Sequence, residues 1–77
     1  MTTTTRTQLY NLASKAKRFT IERNDHNESF AIVRRHQATN KILEGVRCFV
    51  SGQCLDLSSE SSIPLSPHEA AQLLKLV

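Results

Sequence analysis

Glycine and proline are scarce in this chain, with two of each in 77 residues, and tryptophan is missing. So few backbone breakers exclude a collagen-like chain or a Pro/Gly-rich disordered one. Two isolated glycines, Gly45 and Gly52, also leave no glycine-rich loop to cradle a phosphate. The two cysteines, Cys48 and Cys54, have five residues between them, which matches neither a thioredoxin-like pair nor a zinc knuckle. No run approaches the roughly 18 apolar residues of a membrane span. Residues 1–18 lack the apolar centre of a secretory signal, so the expected location is cytoplasmic and the cysteines are expected to stay thiols.

Acids are missing from residues 1–18 altogether, whereas Arg6, Lys15, Lys17 and Arg18 give that segment a charge of +4. The rest of the chain sets six Lys or Arg against seven Asp or Glu, a balance of −1. The basic character therefore belongs to the N-terminal segment. Such asymmetry points to an anionic partner. Cations in the last turn of a helix also complement the negative end of its dipole, which gives the same residues a structural reason to be there.

Hydrophobic residues at 39% and charged residues at 22% are ordinary for a folded chain. Seventy-seven residues allow one domain with a small core. Cores of this size are commonly reinforced by disulfides, a metal or a partner subunit. Neither disulfide nor metal spacing is present, so a homodimer is expected.

The expected organisation is a disordered start at 1–5 and a single α+β domain at 6–77, with a serine-rich connector at 58–65. From Arg6 the positions Leu9, Leu12, Ala13 and Ala16 recur at helical spacing, and Thr5 or Thr7 can cap the start. Phe19–Arg23 alternates as a strand, and Phe30–Gln37 is the longest β-favouring run. A four-residue loop at Asp25–Glu28 places Ile21 opposite Ile32 and gathers Phe19, Ile21, Phe30 and Ile32 on one face. A slip of one residue would group Ile21 with Ala31 and Val33 instead. The first register is preferred because it keeps both aromatics in the core.

Asn40 suits a left-handed turn before a third strand at Ile42–Val50, with a bulge expected at Gly45. A helical turn at Ile42–Glu44 is the alternative there. A tight hairpin at Ser51-Gly52 leads into Gln53–Leu57. In that hairpin Cys48 faces Leu55 and Cys54 faces Phe49, so the thiols lie on opposite sheet faces and cannot bridge. Ser66-Pro67-His68-Glu69 combines a capping serine, a proline at the first helical position and a glutamate three residues after the cap. The helix body that follows is apolar on more than one side, and Leu73, Leu76 and Val77 are the expected subunit interface.

The fold expected is α+β: a four-stranded antiparallel meander with an N-terminal helix and a C-terminal helix packed on one face. A meander followed by a helix opening with Ile63-Pro64-Leu65-Ser66-Pro67 resembles the arrangement of PC4-type single-strand-binding modules. The likeness covers the C-terminal third and is one of architecture, which by itself implies no function.

Chemistry-bearing clusters are few. His26, His36 and His68 fall in a turn, a strand end and a helix start, with no partner at ligand spacing, so no metal site is expected. Asp25-His26-Asn27-Glu28 has the composition of an acid–base site, which is equally that of an exposed turn. With no nucleophile elbow and no paired carboxylates, neither catalysis nor a cofactor is expected.

Strand alternation sends Arg34 and Arg35 to opposite faces. In the preferred register Arg35 lies opposite Arg18, and two like charges so opposed call for an acid or an anion between them. Lys15, Lys17, Arg18, Arg35 and Arg47 are therefore the expected contacts of a non-enzymatic module to the phosphates of a nucleic acid. The alternative is a protein-interaction module using a sheet edge or the C-terminal helix.

Overall fold

In the computed structural model, which describes residues 4–59 and 63–77, helix α1 spans Arg6–Lys15. Thr5 caps it with a reciprocal box: its hydroxyl accepts from the Gln8 N–H, and the Gln8 side chain accepts from the Thr5 N–H. Of the expected disordered start, the last two residues, Thr4 and Thr5, are described. Thr4 is buried and hydrogen-bonded to Nδ1 of His68, through its N–H at 3.4 Å and its hydroxyl at 3.1 Å. The rest of that stretch, residues 1–3, lies outside the described residues.

Four strands follow, β1 Thr20–Asn24, β2 Ser29–Arg35, β3 Ile42–Cys48 and β4 Cys54–Asp56. They form one antiparallel sheet in chain order. Ile21 pairs with Ile32 across a loop at 25–28, which is the expected register. Alternation then sends Phe30, Ile32, Val46, Cys48 and Cys54 to one face, and α1 and α2 cover it. The core is completed by Leu9 and Ala13 from α1, by Phe19, and by Ala70, Ala71 and Leu74 from the C-terminal segment. The small side chains of Ala13, Ala70 and Ala71 let the helices approach the sheet closely.

Two details of β3 differ from expectation. Arg34 pairs with Glu44 and Arg35 with Ile42, so the bulged residue is Leu43 rather than Gly45. Gly45 serves a different purpose. A Cβ there would lie 3.0 Å from the Ile32 carbonyl oxygen and 3.1 Å from Cγ1 of Val33, so any side chain at this position would press on the neighbouring strand. Asn40 takes a left-handed φ of 60° as expected, closing the turn between β2 and β3.

The second hairpin is one residue longer than the tight turn expected. The Phe49 N–H bonds the Gln53 carbonyl, and the Gly52 N–H bonds that of Phe49, leaving a three-residue loop with Gly52 at φ 95°. This is a type I turn closed by a left-handed glycine bulge. The extra residue shifts the pairing so that Cys48 faces Cys54 directly. The expectation that the thiols lie on opposite faces is thereby corrected, because one residue of register moves a strand's whole side-chain set to the other face.

The serine-rich connector is partly built into the fold. The Asp56 carboxylate accepts from both the N–H and the hydroxyl of Ser58, and Leu65 pairs with Cys54 along the outer edge of β4. Its residues 60–62 lie outside the described residues. Helix α2, Pro67–Leu73, opens at Ser66 with the expected capping box closed by Glu69. It ends earlier than its apolar body suggests. Lys75 turns left-handed at φ 58°, and the Lys75 and Leu76 N–H groups return to the carbonyls of Gln72 and Ala71, a Schellman closure made without glycine.

Candidate nucleic-acid interface

Of the four cations in the basic N-terminal segment, two are held by the fold. The Arg6 guanidinium stacks over the Phe30 ring, 4.9 Å from its centre. Its Nε donates to the Phe49 carbonyl at 3.0 Å and its Nη2 to the Glu28 carbonyl. One side chain from the first turn of α1 thus pins the ends of the β1–β2 and β3–β4 loops. Tyr10 packs edge-on against the same ring at 5.2 Å, so it is not a platform for a stacked base.

Arg18 follows α1 in the turn that leads to β1. The ladder between β1 and β2 stops at Thr20–Val33, and Arg18 does not continue it to face Arg35. Its guanidinium lies over the Phe19 ring at 4.6 Å and donates to the carbonyl oxygens of Leu74, at 2.8 Å, and Lys75, at 3.4 Å. The last carbonyls of a helix have no partner within it and carry its negative dipole end, so a nearby guanidinium is drawn there. We expect Arg18→Ala to cost about 1–2 kcal/mol of stability in urea unfolding, the worth of charge-assisted bonds at a half-open site. Arg18→Lys, which keeps the charge but loses the planar fork, should recover only part of it.

Arg35 is diverted as well. It points to the helix-free face and meets Glu22, with Nε and Nη2 each 3.2 Å from a carboxylate oxygen, and it also donates to the Asn40 carbonyl. Arg34 pairs with Glu44 at 2.8 Å. Arg47 stands on the helix-free face between Ala31 and Leu55, away from the α1–β1 turn. The five expected contacts therefore do not form one patch. Lys15, Lys17 and Arg18 stay together, while Arg35 is paired with an acid and Arg47 is remote.

Bonding by Arg18 adds a residue that sequence reasoning missed. It brings the Lys75 backbone against the Arg18 guanidinium, in the turn that follows the exposed Lys15 and contains the exposed Lys17. Among the described residues, neither ion pair involves any of these four cations. No periodicity within α2 signals this, since the contact spans 57 residues of chain.

Other features offer less. A groove of about 510 Å³ runs between α1 and the first hairpin, lined by Arg6, Tyr10, Arg23, Asp25, Glu28 and Phe30. Its charges are mixed. Within the described residues no three His, Cys, Asp or Glu side chains gather as metal ligands would. His36 accepts from the N–H groups of Ala38 and Thr39 in its own turn. Of the expected interface residues, Leu73 and Val77 are exposed, whereas Leu76 packs on the core. No helix in the described residues is long and apolar enough to cross a membrane.

Fold and cluster together define a small α+β domain, a helix-backed four-stranded meander with Lys15 ending its first helix, Lys17 and Arg18 just after it, and Lys75 after its second. Compared with known protein families, curated proteins and solved structures, the chain matches none.

Proposed function

We propose that this domain is a non-enzymatic binding module that takes the phosphate backbone of a nucleic acid at Lys15, Lys17, Arg18 and Lys75. The supporting observation is the Arg18 bond to the end of α2, which ties Lys75 to the turn that follows Lys15 and contains Lys17, and among the described residues no carboxylate forms an ion pair with any of the four. Arg18 bonds neutral carbonyls and so keeps its full charge for an anion. Contacts of this kind are sequence-independent, because phosphates position a ligand without reading its bases.

Each phosphate neutralised on duplex DNA contributes about −0.9 to the slope of log K against log salt. Three or four contacts therefore predict about a 50-fold loss of affinity, or more, between roughly 50 and 200 mM salt. Fluorescence anisotropy with labelled single-stranded DNA, duplex DNA and RNA measures this. The triple variant Lys15→Glu, Lys17→Glu, Lys75→Glu should lose binding, whereas Arg35→Ala, whose charge is already matched by Glu22, should retain it. Salt-insensitive binding, or no binding to any of the three, overturns the proposal.

A second reading rests on apolar surface. Leu73 and Val77 are 45% and 61% exposed at the end of α2, and β1 is the outer strand at one side of the sheet. Either surface suits a protein contact or a homodimer. A dimer seen by sedimentation in high salt, and dissociated by Leu73→Asp with the fold intact, would favour this reading.

A further inference from the structure

Cys48 closes β3, Cys54 opens β4, and the two stand opposite one another. The backbone of Cys54 is bonded not to Cys48 but to Leu65, at 2.8 and 2.7 Å. The cysteines are therefore a non-hydrogen-bonded antiparallel pair, the position at which α-carbons approach to about 4.5 Å. That lies within the separation of about 4.4–6.8 Å that a disulfide spans. Both side chains lie on the helix-covered face with no solvent exposure, and the Cys54 S–H is placed to donate to a thiolate at Cys48. Each sulfur also lies 3.8 Å from a carbonyl oxygen of the loop between them, Phe49 for Cys48 and Gly52 for Cys54.

We propose that Cys48 and Cys54 are a reversible redox site, closed to a cross-strand disulfide by hydrogen peroxide and reopened by a dithiol. Cys48 is the attacking sulfur. The hydrogen bond from Cys54, helped by the Arg6 guanidinium and opposed by burial, brings the Cys48 thiol from 9.0 down to about 7. The same hydrogen bond and burial push Cys54 up, so it keeps its proton. Arg6 is thus both the pin between the hairpin loops and the cation beside the nucleophile.

In the first step the Cys48 thiolate forms a bond to one peroxide oxygen as the O–O bond breaks. The departing hydroxide takes up the proton that Cys48 released and becomes water, leaving Cys48 as a sulfenic acid. In the second step the Cys54 sulfur attacks that of Cys48, the S–O bond breaks, and hydroxide leaves with the Cys54 proton as a second water. Two thiols and one peroxide give one disulfide and two waters. The oxidant is small because both sulfurs are covered, and access comes from opening of β4, a three-residue outer strand. Once formed, the bond fixes β4 to β3 and, through the Cys54–Leu65 pairing, the approach to α2.

The test treats the full chain with hydrogen peroxide at neutral pH, unfolds it in iodoacetamide, and weighs the tryptic peptides. Trypsin cuts after Arg47 and Lys75, so one peptide, 48–75, carries both cysteines. The expected product is that peptide without alkyl groups and lighter by two hydrogens, from protein that runs as a monomer without reductant, with both alkyl groups regained after dithiothreitol. Cys54→Ser should accumulate a sulfenic acid at Cys48, trapped by dimedone, while Cys48→Ser should yield about tenfold less at Cys54. Circular dichroism checks that both variants fold, and the wild-type peptide mass decides the disulfide without them. Two alkylated cysteines after treatment, or a disulfide joining two chains, overturns the proposal.

Discussion

Ile32→Ala should bring the domain close to unfolding at room temperature. Ile32 has no solvent exposure, lies on β2 between Ile21 and Val46, and points into the core beneath the helices. Truncating such a residue removes its transfer energy and leaves a cavity, at a cost of about 2–5 kcal/mol. A chain of this length holds about 4–12 kcal/mol in total, at about 0.05–0.15 per residue, so one substitution consumes a large share. Urea unfolding followed by circular dichroism measures the loss. Val50→Ala, at a loop position 60% exposed, should stay within about 0.5 kcal/mol of wild type. Equal effects from the two substitutions would mean that the core is not centred on β2.

Gly45→Val sets two effects of opposite sign against each other. Valine favours a strand and loses less freedom on folding than glycine, which together favour the variant by about 1–2 kcal/mol. Against this, the added Cβ would meet a backbone oxygen at 3.0 Å and side-chain carbons of Val33 and Ile42 at 3.1 and 3.2 Å. The oxygen belongs to the central strand and cannot move alone, and valine adds two further methyls to the same space. Steric cost should win, for a net loss of about 1–3 kcal/mol in urea unfolding. Gly52 provides the contrast. Nothing lies within 4 Å of a Cβ there, but φ is 95°, so Gly52→Ala should cost about 1–2 kcal/mol through backbone strain. A stabilised Gly45→Val would show that β3 yields at that point.

The parts of the fold legible in the sequence are those decided within a few residues. The start of α2 followed from Ser66, Pro67 and Glu69 because a capping box is complete in four positions. The first hairpin followed from alternation, since only one register puts Phe19, Phe30, Ile21 and Ile32 together. The second hairpin was misread by one residue. Ser51-Gly52 fits a two-residue turn, but Gly52 takes the left-handed position that closes a longer loop, and that single residue turned two separated thiols into a facing pair. The glycine at the third loop position was the available signal.

The candidate site was legible only as a charge imbalance. That residues 1–18 carry basic groups without acids is a property of composition, and it needed no fold. Which of those groups are free did not follow. Alternation placed Arg35 correctly on one face, yet its partner there is Glu22 and not the opposed Arg18. Lys75 entered the cluster through a contact across most of the chain.

By itself, then, the amino-acid sequence determined the helix caps, the alternating strands, the α+β class and the basic bias of the N-terminal segment. Each of these is settled by neighbours a few positions apart. Tertiary structure alone decided that Arg6 and Arg18 bond distant backbone carbonyls, that Lys75 comes to the turn holding Arg18, and that Cys48 meets Cys54. A guanidinium binds whichever carbonyls and carboxylates the fold brings within reach, and a thiol faces whichever residue the register sets opposite. Neither choice exists until the strands and helices are in place.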